Sequence, residues 1–352
     1  MRQIILDQQK KYPQSKLTDL VKFLYQSIFG CGHFVSDPEK TLARLKSEYQ
    51  SCEKNDEPLF TPLGGGFCRL NLSALSADSL SMETVNRLFV YSAQKTGSMD
   101  SFRQGLDLLE EMIANGDLPY SLEEWRRYRT DYEAAGCPAV SHSEAYRAAY
   151  APAYRVLTDS CRQYWPLFCA IEKEMKKRAR TVLAIDGGSG TGKSHLSALL
   201  EQIFPAAVVH MDDFFLQPHQ RTPQRFAEPG GNLDYERFAE EIVPHFGKNE
   251  SFSYRVFDCS CGKIGGETTL SAAPLLILEG VYSQHPLWQD KIHLKVFLDA
   301  SRSTRLTRIL ARNGQWMLQR FEKEWIPRED LYFDTFALRE KADLLIDTER
   351  FF

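Results

Sequence analysis

Residues 181–203 read TVLAIDGGSGTGKSHLSALLEQI, and this stretch decides the fold of the half of the chain around it. Val182–Ile185 is a short apolar run of strand length. Leu196, Leu199, Leu200 and Ile203 recur at three and four, the helical period. Between them, Gly187-Gly188-Ser189-Gly190-Thr191-Gly192-Lys193-Ser194 matches G-x-x-x-x-G-K-[ST] in full. Strand, glycine-rich turn and helix in that order suit a nucleoside triphosphate. Glycines let the backbone curl so that successive N–H groups face phosphate oxygens, and the helix N-terminus adds partial positive charge. Lys193 is placed to neutralise the outer phosphates, and the Ser194 hydroxyl to ligate Mg²⁺.

Downstream, apolar runs keep alternating with amphipathic ones: AVVHMD, LDYERFAEEIVPHF, FSYRVFD, PLLILEG, IHLKVFLD, STRLTRILARNG and ADLLID. Strands that are apolar throughout and alternate with helices predict a parallel sheet buried on both faces. In such sheets ligands collect at the carboxyl ends of strands. Two runs end there in acids. The first ends His210-Met211-Asp212-Asp213, and either aspartate is a candidate to accept a proton from an attacking hydroxyl. The second, Leu275–Leu278, ends in Glu279, a candidate Mg²⁺-side carboxylate. Arg305, Arg308 and Arg312 fall at i, i+3 and i+7, one helical face, and can close over transferring phosphates.

Before residue 175 the pattern differs. LTDLVKFLYQSIF, SMETVNRLFVYSAQ and SFRQGLDLLEEMIA carry the helical period, and Ser81 and Ser121 stand where N-caps belong. Pro58–Pro62 and Gly64–Gly66 mark a loop. The charged stretch Glu172–Arg180 predicts a helix end running into an exposed connector. The expected organisation is a mostly α-helical domain over 1–175, followed by an α/β domain over 176–352 with a mostly parallel, doubly wound sheet.

Composition excludes other classes. The chain has 352 residues, 43 basic against 47 acidic, with both halves near neutrality. No half is built to coat nucleic acid or an anionic membrane. No apolar run approaches the roughly 20 residues of a membrane helix, and the polar N-terminus shows no secretory h-region. Eight scattered cysteines without a CxxC fit reduced thiols and a cytoplasmic location. Cys259-x-Cys261 and Cys31-x-His33 are sparse metal signals, each lacking further ligands at suitable spacing.

The order GGSGTGKS, MDDFF, NLDYERF, YRVFD, LILEG, TRLTRILARNG and ADLLID resembles the uridine kinase / phosphoribulokinase family of P-loop kinases, over about residues 180–350. The resemblance implies an α/β P-loop kinase domain using ATP and Mg²⁺, with a small-molecule phosphate acceptor. It places the general base at Asp212, the Mg²⁺-supporting acid at Glu279, lid residues at Arg308 and Arg312, and acceptor contacts at Asp234, Arg255 and Asp258. It also shows a departure. Uridine kinases carry a Tyr-Asp pair and a nearby His beside the acceptor; here the pair is Phe257-Asp258 and no His follows. The expected activity is ATP-dependent phosphorylation of a hydroxyl on a nucleoside or sugar-like molecule. The alternative is an ATP-binding switch or NTPase acting on an interaction module formed by the helical half.

Overall fold

In the computed structural model the described residues are all but 36, 77, 78, 259 and 350–352. They divide into two compact units, Met1–Pro166 and Leu167–Phe352. The helix Trp165–Met175 thus begins at the division that the composition change had placed at its end.

The first unit is mostly helical, as its periodicity predicts. Ser81 and Ser121 cap their helices by accepting the N–H of Thr84 and Glu124. The proline- and glycine-rich stretch read as a loop is instead a hairpin. Strands β1 (Phe60–Gly64) and β2 (Phe67–Asn71) pair antiparallel, and β3 (Tyr154–Thr158) joins β2. The turn needs glycine: Gly65 has φ +61°, and a Cβ there would lie 1.7 Å from the Ser27 carbonyl oxygen. Five-residue strands bearing Pro and Gly carry too little alternation to announce themselves.

The second unit is built on five parallel strands: β4 (Thr181–Gly187), β5 (Ala206–His210), β8 (Leu275–Glu279), β9 (Leu294–Asp299) and β10 (Leu344–Asp347), with β6 (Phe252–Asp258) and β7 (Lys263–Leu270) forming a separate antiparallel hairpin. The sheet order is β10-β9-β4-β8-β5, every pair parallel. β4 and β8 are buried along their whole length, which is why they read as uninterrupted apolar runs. Burying each of Leu275, Leu276 and Leu278 contributes about 1.5–3 kcal/mol. The edge strand β10 alternates instead.

The sequence order reverses at β4: the chain goes to one side for β5 and β8 and to the other for β9 and β10. That switch point opens a crevice at the carboxyl ends of the central strands. Register aligns Ile185 with Glu279 and Glu279 with His210, so the phosphate-binding loop and both acidic strand ends emerge side by side.

One expectation is corrected here. Arg180, read as part of an exposed connector, is 1% exposed; its guanidinium donates to the carbonyls of Ala273, His245 and Glu250. A buried guanidinium needs such partners, so the end of the charged stretch is anchored.

Candidate active site

The loop off β4 is shaped by close approach. Gly187 (φ +137°) passes under β9, where a Cβ would lie 2.3 Å from the Leu298 carbonyl oxygen; Gly190 (φ +82°) would bring one to 2.8 Å from the Arg305 carbonyl oxygen. The loop leads into the helix Lys193–Ile203 through Gly192. The Lys193 ammonium is held by the carbonyls of Gly187 (2.7 Å) and Gly188 (3.1 Å), and Thr191 Oγ1 donates to Gly188.

A buried brace supports this loop from behind. Glu329 accepts from the backbone N–H and hydroxyl of Ser189 and from Arg305 (2.9 Å), while Arg305 Nε donates to the Ser189 carbonyl. Both side chains are under 10% exposed. The arginine stripe therefore splits. Arg305 is structural, Arg308 reaches the Gly190 carbonyl at the loop, and Arg312 lines the cleft, bonded to Asn313. Spacing alone gives three equivalent arginines; only packing tells which way each points.

At the neighbouring strand ends, Ser194 Oγ donates to Glu279 Oε1 (3.0 Å), and His210 Nδ1 lies 2.8 Å from Glu279 Oε2. Burial alone raises the Glu279 carboxyl, but His210, Lys193 and Ser194 outweigh it and hold the group below its ordinary value. The same hydrogen bond raises the His210 imidazole. Ser194 and Glu279 present hard oxygen donors on one side of the cleft, the donor set that suits a Mg²⁺ ion sharing its shell with phosphates and water.

Asp212 and Asp213, which the sequence left as rivals, are separated by their partners. Asp213 accepts from the Tyr254 hydroxyl (2.8 Å), and its carbonyl accepts from Arg237. Its carboxylate belongs to the packing of β6. Asp212 lines the cleft, and its carboxylate accepts no hydrogen bond among the described residues. Protein crowding around it, then the Glu279 charge, raise its carboxyl, with Lys193 opposing. One residue before the loop, Asp186 is fully buried; it accepts from Gly187 N (2.8 Å), Gln284 N (3.1 Å) and the Tyr332 hydroxyl (3.1 Å), and burial pushes its carboxyl up to about 6.

The cleft has a volume of about 1320 Å³ and joins the loop to a wall from other segments. Phe215, Phe226 and Phe257 give it an aromatic side. Arg221 lies over the Phe257 ring (5.6 Å) and Arg328 over Phe226 (4.3 Å). The segment beyond Gly314, where the helix Arg302–Arg320 breaks at φ +75°, adds Met317, Arg320 and Trp325.

The structure does not bring the three expected acceptor contacts into the cleft. Asp234 is 1% exposed, caps the helix Tyr235–Glu241 and pairs with Arg237. Arg255 pairs with Glu241 on the outward side of β6. Asp258 accepts the N–H and hydroxyl of Ser260 in the hairpin turn. A break in the strand register between Val256 and Phe257 leaves Arg255 exposed while Phe257 is buried and lines the cleft; Asp258 follows on the other side, and Asp234 lies off the strand altogether. Arg221 and Asn232 escaped the sequence reading because they lie in irregular connections, Phe226 because its helix Pro223–Ala227 is too short to show a period, and Arg328 because its helix Ile326–Phe336 lies far along the chain from the loop.

Among the described residues no group of three or more His, Cys, Asp or Glu side chains is disposed to hold a metal. Cys31 is buried, its thiol pushed up to about 12 by burial, and His33 packs against Tyr25 and Phe34. Cys261 is exposed, donating to the Asp258 carbonyl; Cys259 lies outside the described residues. No described helix is long and apolar enough to cross a membrane.

A five-stranded parallel sheet with a glycine-rich loop off its central strand, a lysine and serine opening the next helix and acids on the adjacent strand ends define an α/β domain of the P-loop kinase fold. No protein-family model matches the sequence, and no curated protein matches it. Among solved structures, the chain is similar to a possible uridine kinase from Bacillus stearothermophilus, with 23% identity over 52% of this chain and all of that one, TM-score 0.39. It is also similar to a candidate fructose transport system kinase from Silicibacter sp. TM1040, with 24% identity over 51% of this chain and 97% of that one, TM-score 0.39. A third similar structure is a circularly permuted P-loop kinase candidate from Saccharomyces cerevisiae, with 12% identity over 51% of this chain and 96% of that one, TM-score 0.33.

Proposed function

We propose that the second unit transfers the γ-phosphoryl group of ATP to a hydroxyl of a small organic acceptor, of nucleoside or sugar-like kind, rather than to nucleic acid or a membrane component. The observation that carries this reading is Asp212: a carboxylate facing the cleft, unclaimed by any described hydrogen-bond donor, in the same cleft as the loop lysine and the Ser194–Glu279 pair. A group so placed can orient the acceptor hydroxyl and take its proton as the oxygen attacks.

The backbone N–H groups of the loop and Lys193 would hold the triphosphate, and Arg308 and Arg312 would meet the charge on the transferring group. Mg²⁺ held through Ser194 and Glu279 would supply neutralisation of the phosphate oxygens when bound. The aromatic wall of Phe215, Phe226 and Phe257 suits a flat or carbohydrate face, and Arg221 and Asn232 offer polar contacts beside it. Phe257 supplies no hydroxyl, so selectivity for uridine is not expected; a site lacking a substrate's hydrogen-bond partners discriminates against it.

The test is ADP release across nucleosides, pantothenate, other vitamins and sugars, with wild type and Asp212→Asn in parallel. Acceptor-dependent release that collapses in Asp212→Asn is the expected result. Release that no acceptor stimulates and that Asp212→Asn leaves unchanged would instead indicate a nucleotide-driven switch.

A further inference from the structure

The first unit holds a second cavity, of about 160 Å³, bounded by the helices Leu17–Phe29 and Pro38–Ser51 and by strand β3. One side is apolar: Phe34, Phe89, Pro152 and Val156. The other carries Lys22, Arg44 and Arg155 against a single lining carboxylate, Glu48. That carboxylate is already divided between two partners, Arg155 on one oxygen and Arg44 on the other (2.7 Å).

Lys22 is left without a counter-charge. It is 7% exposed, donates to the Val140 carbonyl (3.0 Å) and forms no ion pair among the described residues. The nearby Asp19 is fully engaged: its oxygens take Lys16 N, Ser143 N, Ser143 Oγ and His142. His142 in turn reaches the Tyr154 hydroxyl (2.8 Å), so this polar wall is fixed by its own hydrogen bonds. Behind Tyr154, Arg69 adds a further buried cation whose Nε has no hydrogen-bond partner among the described residues. Burial, then the Arg69 charge, pull the Lys22 ammonium down to about 8, against the pull of Asp19. Buried charge without a partner is costly, and a fold tolerates it where a ligand completes the pair.

We propose that this cavity binds a small organic anion, a carboxylate or phosphate monoester on a flat apolar body, with its head on Lys22 and its body against Phe34 and Phe89. The volume is close to that of an engineered cavity of about 150 Å³ that takes benzene, so a single ring with one anionic group fits. This site is independent of the transfer chemistry assigned to the second unit.

The probes are benzoate and phenyl phosphate, with benzyl alcohol as the neutral counterpart. They are titrated calorimetrically into the full chain carrying Lys193→Ala, which suppresses anion binding at the phosphate loop. Binding of benzoate or phenyl phosphate at least tenfold tighter than benzyl alcohol, weakened at least tenfold by adding Lys22→Gln, is expected; which anion binds tighter tells carboxylate from phosphate. Lys22→Gln keeps an N–H donor for Val140 and should raise Tm in anion-free buffer, because an uncompensated buried charge is gone. A second measurement uses the unsubstituted chain: acylation of Lys22, read by mass spectrometry, should be slowed by the bound anion. No binding of either anion, equal affinity in Lys22→Gln, a lowered Tm in that variant, or acylation that neither anion changes overturns the proposal.

Discussion

The two ends of the cleft differ in how they are made. The phosphate end is one continuous segment, Gly187–Ser194, whose geometry is backbone geometry, plus two strand ends placed beside it by sheet register. The other end, the proposed acceptor side, is assembled from four separated segments, around Phe215, Phe226, Asn232 and Phe257, with Arg320 and Arg328 from a fifth. Phosphate recognition needs N–H groups at a helix start, which only a few sequences can supply. Acceptor recognition needs a shape, which many side-chain combinations can supply.

The sharpest break in this comparison comes from the paired aspartates. Asp212→Asn should bind MgATP almost normally and lose roughly 100- to 10,000-fold in transfer rate, the usual worth of a general base. Asp213→Asn should lose far less, since its carboxylate serves Tyr254; the cost should appear as about 1 kcal/mol of stability in urea unfolding. Single-turnover rates for the two variants decide the matter, and the reverse order would falsify the assignment of Asp212.

Next in size is the brace behind the loop. Arg305→Ala leaves Glu329 buried without its cation and should cost about 3–5 kcal/mol of unfolding free energy. Because Glu329 also grips Ser189, KM for ATP should rise together with the loss. A stable Arg305→Ala with unchanged KM would show that the loop holds its shape without the brace.

A smaller effect concerns pH. The Asp186 carboxyl rises on folding from 3.8 to about 6, burial being the main cause. The native state therefore binds this proton more tightly than the unfolded chain. Its contribution is present below pH 3.8 and is lost as pH rises through about 6, up to about 3 kcal/mol across that window. Asp212 is shifted in the same direction, so the measurement is a difference: urea-derived stability of wild type minus Asp186→Asn should fall between pH 4 and 6. A flat difference would place Asp186 ionised throughout.

The smallest effect sharpens the acceptor end. Arg255→Ala should change acceptor KM by less than about twofold, since surface ion pairs contribute little. Arg221→Ala should raise that KM severalfold while leaving KM for ATP unchanged. Steady-state kinetics with the best acceptor from the ADP-release screen reads both.

Much of the second unit was legible because burial on both sheet faces forces continuous apolar strands, and because the phosphate loop is local. Of the residues the resemblance pointed to, Asp212 and Glu279 line the cleft while Asp234, Arg255 and Asp258 do not, because position along the chain was carried over without side-chain direction. In the first unit the helices declared themselves by period and caps, while β1 and β2 were hidden by the proline and glycines of their hairpin.

The sequence by itself determined the alternation of strands and helices in the second unit, the phosphate-binding loop and the helical character of the first, because each is set by contacts a few residues apart. Only the tertiary structure decided that Arg305 is a brace and Arg308 a loop contact, that Asp213 belongs to Tyr254 and Asp212 to the cleft, and that Lys22 stands buried without a counter-charge. Those outcomes depend on partners 24 to about 140 residues away. Periodicity says which side chains share a face; it does not say what faces them.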